Sequence, residues 1–399
     1  MRVLSVNCGS STLKFDVLDM NTAGRATTRV AKGIVDRIGG GATTSLSAGS
    51  DRLQRDTLAQ DHGEAFGAAV GLLQQVDALS GVGAVGHRVV HGGVRFRAPA
   101  IIDQAVIQAI EGASELAPLH NQPSLAAIRA ARSHFGDQMP MVATFDTAFY
   151  TSLPDVSAVY ALPRDVSEKL GIRRFGFHGL AHRCMAERFR ELRPEISEPR
   201  LVTLQLGNGC SATASIAGKP VDTSMGFTPL EGLIMGTRSG DLDPSIPLYL
   251  GEKEGLSTGE VESLLNTRSG LLGLSGTSND MRDLLEAARG GNHEADLAVR
   301  AFCYRARKYI GAYLAVLGGA DAIVFGGGIG EHIAAVREGI CTDLEWAGLE
   351  LDPKRDRAVL QRDARISADS SRVEAWVVHV DEATVIAQDT VDCLATRRS

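Results

Sequence analysis

No stretch of this 399-residue chain approaches the roughly 20 continuous apolar residues that a helix needs to cross a bilayer. The opening segment, Met1 to Phe15, lacks the apolar run of a secretory signal. Both absences point to a cytoplasmic protein with no membrane partner. Cysteine pairs are missing as well. Cys8, Cys184, Cys210, Cys303, Cys341 and Cys393 are scattered, with no C-x-x-C spacing. That argues against a zinc ribbon or a disulfide scaffold and fits a reducing compartment. Positive charge is scarce: 41 Lys and Arg face 48 Asp and Glu, for a formal charge of −7. A nucleic-acid partner held by bulk positive field is therefore disfavoured. The one basic tip, Arg397-Arg398, reads as a solvated tail.

Glycine, by contrast, is abundant, with 44 residues against only 5% aromatics. The glycines cluster where strands end, the place where α/β enzymes bring backbone close to phosphate. The length predicts two domains, one over residues 1–150 and one over residues 151–383. A closing helix over about 384–399 would pack back on the first. Val3–Val6 and Lys14–Leu18 read as strands around the turn Asn7-Cys-Gly-Ser-Ser11. The pattern recurs at Leu201–Leu206, Gly207-Asn-Gly-Cys-Ser211 and Ala212–Ile216. Gly9 and Ser11 fall opposite Gly209 and Ser211 at an offset of 200 residues, which suggests a duplication. Elsewhere helices (Glu64–Leu79, Ala295–Leu317) alternate with strands (Gly83–Val90, Met141–Phe145, Ala322–Phe325, Val373–Val378), as α/β architecture requires. A further helix is expected from Glu331.

The first turn carries Asn7, Gly9, Ser10, Ser11, Thr12 and Lys14, whose N–H groups, hydroxyls and ammonium can face phosphate oxygens. It is not a Walker loop. Gly326-Gly-Gly-Ile-Gly330 lies between a strand and a helix and is a nucleotide-contact candidate, although tight turns use glycine for steric reasons too. Arg88 and Arg238 are the anion candidates, since the planar guanidinium fork matches carboxylate and phosphate oxygens. His87/His91 and His178/His182 stand at i,i+4 spacing, yet Arg88 and Gly179 occupy the place where a zinc protease needs glutamate. His178 could instead donate to a developing anion or serve as a structural histidine. Asn7, Asp146 and Glu382 are oxygen ligands available to Mg²⁺.

Taken in order, these motifs resemble the acetate kinases, members of the actin/hexokinase/Hsp70-like phosphotransferases. The resemblance rests on Asn7–Lys14, Gly86-His-Arg-Val-Val-His-Gly-Gly93, Ala117-Pro-Leu-His-Asn121, Thr144-Phe-Asp-Thr-Ala-Phe149, Tyr160–Pro163, Phe175-Gly-Phe-His-Gly179, Thr223–Gly232 and Met235-Gly-Thr-Arg238. It implies duplicated ribonuclease-H-like (actin-like ATPase) domains, each a mixed sheet flanked by helices, with an interdomain cleft. It also implies a homodimer, and Mg²⁺-dependent in-line transfer between ATP and acetate giving ADP and acetyl phosphate. Arg88 and Arg238 would hold the carboxylate and the phosphoryl group, and His178 with Asn208 would stabilise the transition state. Asp146 would orient the reactants, and Asn7 with Glu382 would place Mg²⁺. Val90, Leu119, Phe177 and Pro229 match the pocket for the acetate methyl. Ser10, Thr12, Lys14, Gln205, Leu206, Gly207, Asn208 and Gly209 match the phosphate contacts. Asp280, Met281 and Arg282 match the adenosine stretch, with Gly326, Gly327, Gly328, Ile329 and Gly330 against the nucleotide.

The chain departs from the family pattern at several positions. Gln205 replaces His, Cys210 and Thr12 replace Ser, and His332 replaces Asn. Met281 stands where an aromatic would stack on adenine. Gly326-Gly327-Gly328 varies the usual Thr-Ala-Gly start, and Asp381-Glu382-Ala383 replaces Asn-Glu-Glu. A propionate or other short-chain acyl kinase is the near alternative. A pyrophosphate-using relative is disfavoured by the retained Gly328, and a non-catalytic actin-like nucleotide-binding protein by Arg88, Arg238 and His178.

Overall fold

The computed structural model describes residues 1–21, 27–114, 118–359 and 362–396, and only the backbone of Thr27 and of residues 118–120. Ala117, the Leu119 side chain, and Arg397 and Arg398 therefore lie outside the described residues. The chain divides into two compact units, Met1–Thr151 with Asp381–Ser399, and Ser152–Val380.

The first unit is built on an eight-stranded mixed sheet. Its strands are β1 (Arg2–Cys8), β2 (Thr12–Met20), β3 (Thr27–Asp36), β4 (Gly40–Ala48), β5 (Asp51–Ala59), β6 (Val82–Val89), β7 (Ala100–Ile101) and β8 (Met141–Phe145). They lie in the order β5-β4-β3-β2-β1-β6-β8-β7. Strands β1 to β5 form an antiparallel meander, whereas β6 runs parallel to β1 and β8 parallel to β6. Strand β8 is buried at every residue, as a parallel strand covered on both faces must be. Helix His62–Gln75 starts at Asp61, whose carboxylate accepts the Glu64 N–H at 2.9 Å and satisfies one of the helix's otherwise unpaired donors. The helix turns Phe66, Ala69, Val70 and Leu73 into the core with Phe15, Val35 and Leu125.

Helix Glu382–Thr396 covers the other face, with Ala387 packed beside Val3, Leu18 and Met20. It lies so close to β6 that a Cβ on Gly86 would fall 2.3 Å from Thr390 Oγ1 and 2.7 Å from Ile386 Cγ2. The helix starts two residues before the expected boundary.

The second unit carries a six-stranded sheet of β9 (Arg200–Leu206), β10 (Cys210–Ile216), β11 (Lys219–Thr223), β12 (Ala322–Gly326), β13 (Ala364–Arg365) and β14 (Glu374–Val377). Its order is β11-β10-β9-β12-β14-β13. Strands β9, β10 and β11 are again an antiparallel meander, and β12 and β14 run parallel to β9 and β12 respectively. Six strands in each sheet thus share one order and one set of directions, with β7 and β13 as matching antiparallel edges, and the two Gly/Ser turns are the first hairpins of the two sheets. Helix His293–Leu317 is capped by Asn292 at its start and ends at Gly318, which adopts φ 66°.

The glycine run differs from expectation. The helix begins at Gly327 rather than Glu331, and runs to His332. The Glu331 carboxylate accepts the Gly327 N–H at 3.0 Å and so closes the turn from its far end.

Candidate functional site

In the first unit the candidate residues converge at the carboxyl ends of three neighbouring strands. Asn7 lies near the end of β1, Arg88 near the end of β6, and Asp146 directly follows β8. Parallel pairing sets Val6 beside His87, and Arg88 beside Thr144, so the three strand ends are level. Arg88 Nε and Nη2 donate to Asp146 Oδ1 and Oδ2 at 3.1 and 2.6 Å, and Nη1 donates to Asn7 Oδ1 at 2.9 Å. Asn7 Nδ2 in turn donates to Glu382 Oε2 at 2.6 Å, an oxygen 3.8 Å from Arg88 Nη1. Asp146 is fully buried. Burial opposes the Arg88 charge, but the carboxylates of Asp146 and Glu382 outweigh it and raise the guanidinium pKa. Three of the five Arg88 N–H groups are committed in this way, which leaves two for an anionic ligand.

The turn between β1 and β2 closes through Gly9 N–H to Thr12 O at 2.8 Å, with His62 Nε2 2.8 Å from Gly9 O. Ser10 and Lys14 are exposed there and available to a ligand. Val90 is buried.

In the second unit His178 stands just before helix Gly179–Leu192 with φ 57°, a left-handed conformation unfavourable for a residue with a Cβ. Its Nδ1 is 2.9 Å from Ser211 Oγ on β10. Arg238 Nη1 donates to the Pro229 carbonyl at 2.7 Å. Among the described residues no carboxylate forms an ion pair with Arg238. Burial lowers its pKa, and the nearby Cys210 thiol, pushed up to about 12 by burial, stays neutral. Gly209 separates the two groups: a Cβ there would lie 2.9 Å from Arg238 Nη2 and 3.3 Å from His178 Nε2. Only glycine leaves the guanidinium and the imidazole room to flank this position.

Asn208 Oδ1 accepts from Asn279 Nδ2 at 3.0 Å, and its carbonyl takes the Gly236 N–H at 2.8 Å. Gly207 lies in the same turn, its N–H bonded to Gly209 O at 3.1 Å. Gln205 sits near the end of β9 with its Oε1 buried and without a partner among the described residues. Gly328 is the exposed glycine of its run, where a Cβ would meet nothing within 4 Å. Gly326, Gly327 and Gly330 are buried, and Ile329 is half-buried.

The adenosine stretch needs one correction. Met281, expected to meet the base, is 2% exposed in the hydrophobic interior, so its side chain is a core residue. Asp280 accepts the Arg282 N–H at 2.8 Å and caps helix Met281–Arg289, while also pairing with the Arg282 guanidinium. Leu206 is likewise buried, leaving its backbone as what it could offer. Phe177 and Pro229 are buried.

Tyr160, Arg174 and Glu231 were not among the expected site residues, although Tyr160 and Glu231 lie within motifs of the family pattern. The Tyr160 hydroxyl donates to Glu231 and accepts the Phe227 N–H at 2.8 Å, and Arg174 Nη2 donates to Glu231 at 2.7 Å. Together they brace the segment that carries Pro229. Their chain separations, up to 71 residues, give no local signal.

A model of the acetokinase family matches residues 2–388 of the chain. An acetate kinase of Solibacter usitatus is 49% identical over 407 residues, covering 99% of this chain and 98% of that protein. The crystal structure of Porphyromonas gingivalis acetate kinase superposes with a TM-score of 0.89 at 38% identity, covering 98% of this chain and 99% of that one. That of a propionate kinase from Francisella tularensis superposes with a TM-score of 0.90 at 34% identity, over 97% and 98% of the two chains. Two sheets of one strand order, the convergent Asn7, Arg88, Asp146 and Glu382, and a family match over nearly the whole length agree: the chain belongs to the acetokinase family.

Proposed function

We propose that the protein transfers the γ-phosphoryl group of ATP to acetate, reversibly and in line, giving acetyl phosphate and ADP. The observation that carries this reading is Arg238 beside His178, a guanidinium with no carboxylate partner among the described residues and an imidazole held on a strained backbone, both flanking Gly209. Such a pair suits the charge that develops on a transferring phosphoryl group. Acetate is already a carboxylate at neutral pH and needs no general base. The barrier is the approach of two anions, which fixed cationic donors lower.

Arg88, locked by Asp146 and Asn7, offers its two remaining N–H groups to the acetate carboxylate. Asp146 acts by orienting Arg88 rather than by taking a proton. Asn208, with its amide oxygen taken by Asn279, would add an N–H donor. Val90, Phe177 and Pro229, with Leu119, would receive the acetate methyl. Ser10, Thr12, Lys14, Gln205, Gly207 and Gly209 would meet phosphate oxygens. Gly328, with the backbone at Gly326, Gly327, Ile329 and Gly330 and the cap at Asp280–Arg282, would meet the nucleoside.

The donor set at Asn7 and Glu382 fits a hydrated Mg²⁺ that arrives with the nucleotide. Glu382 Oε2 takes the Asn7 amide, leaving its other oxygen, and Mg²⁺ in such sites keeps waters and one or two carboxylates. Bound there, the ion would neutralise charge on the phosphates.

Hydroxylamine trapping tests the reaction directly. With Mg²⁺-ATP and acetate the protein should yield acetohydroxamate, and Arg238→Ala should lose roughly 10²- to 10³-fold in kcat. Near-normal turnover in that variant would sink the assignment.

A further inference from the structure

Behind His178 the second unit holds a chain of hydrogen bonds that phosphoryl transfer does not itself require. His178 Nδ1 lies 2.9 Å from Ser211 Oγ. Ser211 Oγ lies 2.7 Å from His182 Nε2, and His182 Nδ1 lies 2.7 Å from Thr203 Oγ1. Thr203 Oγ1 is 3.3 Å from the Thr213 carbonyl. Ser211, His182, Thr203 and Thr213 are each 1% exposed or less.

The direction of every bond follows from its far end. A carbonyl can only accept, so the Thr203 hydroxyl donates to Thr213 O. Its one proton is then spent, and His182 Nδ1–H must donate to Thr203 Oγ1. Burial pushes the His182 pKa down to about 3, so at neutral pH the ring has one N–H and its Nε2 accepts. The acceptor at Nε2 takes the Ser211 proton. Ser211 Oγ, having donated, accepts from His178 Nδ1–H.

We infer that Ser211 and His182 are positioning residues that fix both the ring orientation of His178 and the nitrogen that holds its first proton. Neutral imidazole in water prefers the proton on Nε2, and the chain reverses that preference. With Nδ1–H engaged by Ser211, the His178 Nε2 beside Gly209 donates to a phosphoryl oxygen only once it carries a second proton. His178 therefore acts as an imidazolium, a full positive charge where a neutral N–H donor would have supplied a dipole. Arg238, whose Nη2 approaches Gly209 alongside the ring, is the charged group that opposes this protonation in the absence of an anion. A bound phosphoryl group, facing both, favours it. The inference rests on the reading of His178 as a group that meets the transferring phosphoryl.

The full-length protein labelled with ¹⁵N-histidine, in long-range ¹H–¹⁵N spectra at alkaline pH, reads the tautomer without reference to activity. His178 should appear with its proton on Nδ1, and its signals are assigned by their loss in His178→Gln. In Ser211→Ala the proton should move mainly to Nε2, kcat should fall roughly tenfold to hundredfold, and the KM values for ATP and acetate should stay within about twofold. Ser211→Thr keeps the hydroxyl and should restore both the tautomer and kcat. Should Ser211→Ala not fold, His182→Leu, which removes the acceptor, should show the same spectral shift.

An Nε2–H tautomer in the unsubstituted protein overturns the inference. So does a Ser211→Ala enzyme as fast as Ser211→Thr while His178→Gln is inactive. A fully active His178→Gln would instead remove the catalytic reading of His178, whatever the spectra show.

Discussion

Arg88 and Arg238 enter from the sequence as the two anion candidates, yet the structure gives them opposite electrostatic settings. Arg88 is paired with the fully buried Asp146. Its removal strands a carboxylate in the interior, a loss on the order of 3–5 kcal/mol. Arg238 has no such partner among the described residues, so its removal strands no carboxylate and costs only the bond to the Pro229 carbonyl. Arg88→Ala should therefore lower both the urea midpoint and kcat. Arg238→Ala should change the unfolding free energy by no more than about 1.5 kcal/mol while kcat collapses. Paired urea titrations and initial rates check this contrast, and equal destabilisation by the two would contradict it. Both arginines were legible in the sequence because the guanidinium fork suits an anion and the order of the surrounding motifs marked them. Their different surroundings were not, since Asp146 and Asn7 are 58 and 81 residues from Arg88.

Among the elements, the glycine run Gly326–Gly330 carries distinct burdens at adjacent positions. Gly327 adopts φ 77°, and a Cβ there would fall 2.6 Å from Leu206 O, a backbone atom that cannot swing aside. Gly327→Ala should cost roughly 1–3 kcal/mol of stability. Gly328→Ala meets no protein atom and should leave stability unchanged while raising the KM for ATP. Calorimetric titration with ATP and thermal melts separate the two, and an unaltered ATP affinity in Gly328→Ala would count against a nucleotide at this helix. Strands β1, β2, β6, β8, β9, β10, β12 and β14 were readable because each is buried along most of its length and bounded by turns. The meander β3–β5 carried little signal: β5 is exposed at most of its residues and reads as polar chain. It holds as strand through register with β4 from Asp51↔Ala48 to Ala59↔Gly40. The start of the glycine helix was missed because the Glu331 carboxylate closes it from the far end of the turn.

Across the whole molecule, buried histidines set how stability responds to pH. Burial pushes His87 and His182 down to about 3 and His91 to about 4, well below the 6.5 expected of the unfolded chain. Below pH 6.5 the unfolded state takes up protons that the folded state refuses. Each histidine then removes up to about 1.4 kcal/mol of stability per pH unit until its folded pKa is reached. Asp16 acts the other way. Burial, opposed by Arg29, raises its pKa to about 6, so its ionisation costs stability above that pH and the cost is relieved as pH falls toward 4. Burial lowers His62 as well and raises Asp222 and Asp356 as it does Asp16, so four histidines against three aspartates predict a net fall in unfolding free energy from pH 7 to pH 5. His87→Gln should flatten that slope, and a pH-independent urea midpoint over this range would contradict the account.

At the same scale, the 200-residue offset between the two Gly/Ser turns foretold the repeated sheet order, because both hairpins open the same meander. The positioning chain behind His178 was not legible because Thr203 and Thr213 carry no motif of their own and Ser211 reads only as the end of a Gly/Ser turn.

Phosphoryl transfer to acetate is the central claim. Its most direct measurement is ADP formation, in a coupled assay with Mg²⁺-ATP, in the presence of acetate, propionate or butyrate in turn. Turnover that depends on acetate and declines with chain length is the predicted result. Silence with every acid, in a folded protein that still binds ATP, would contradict it.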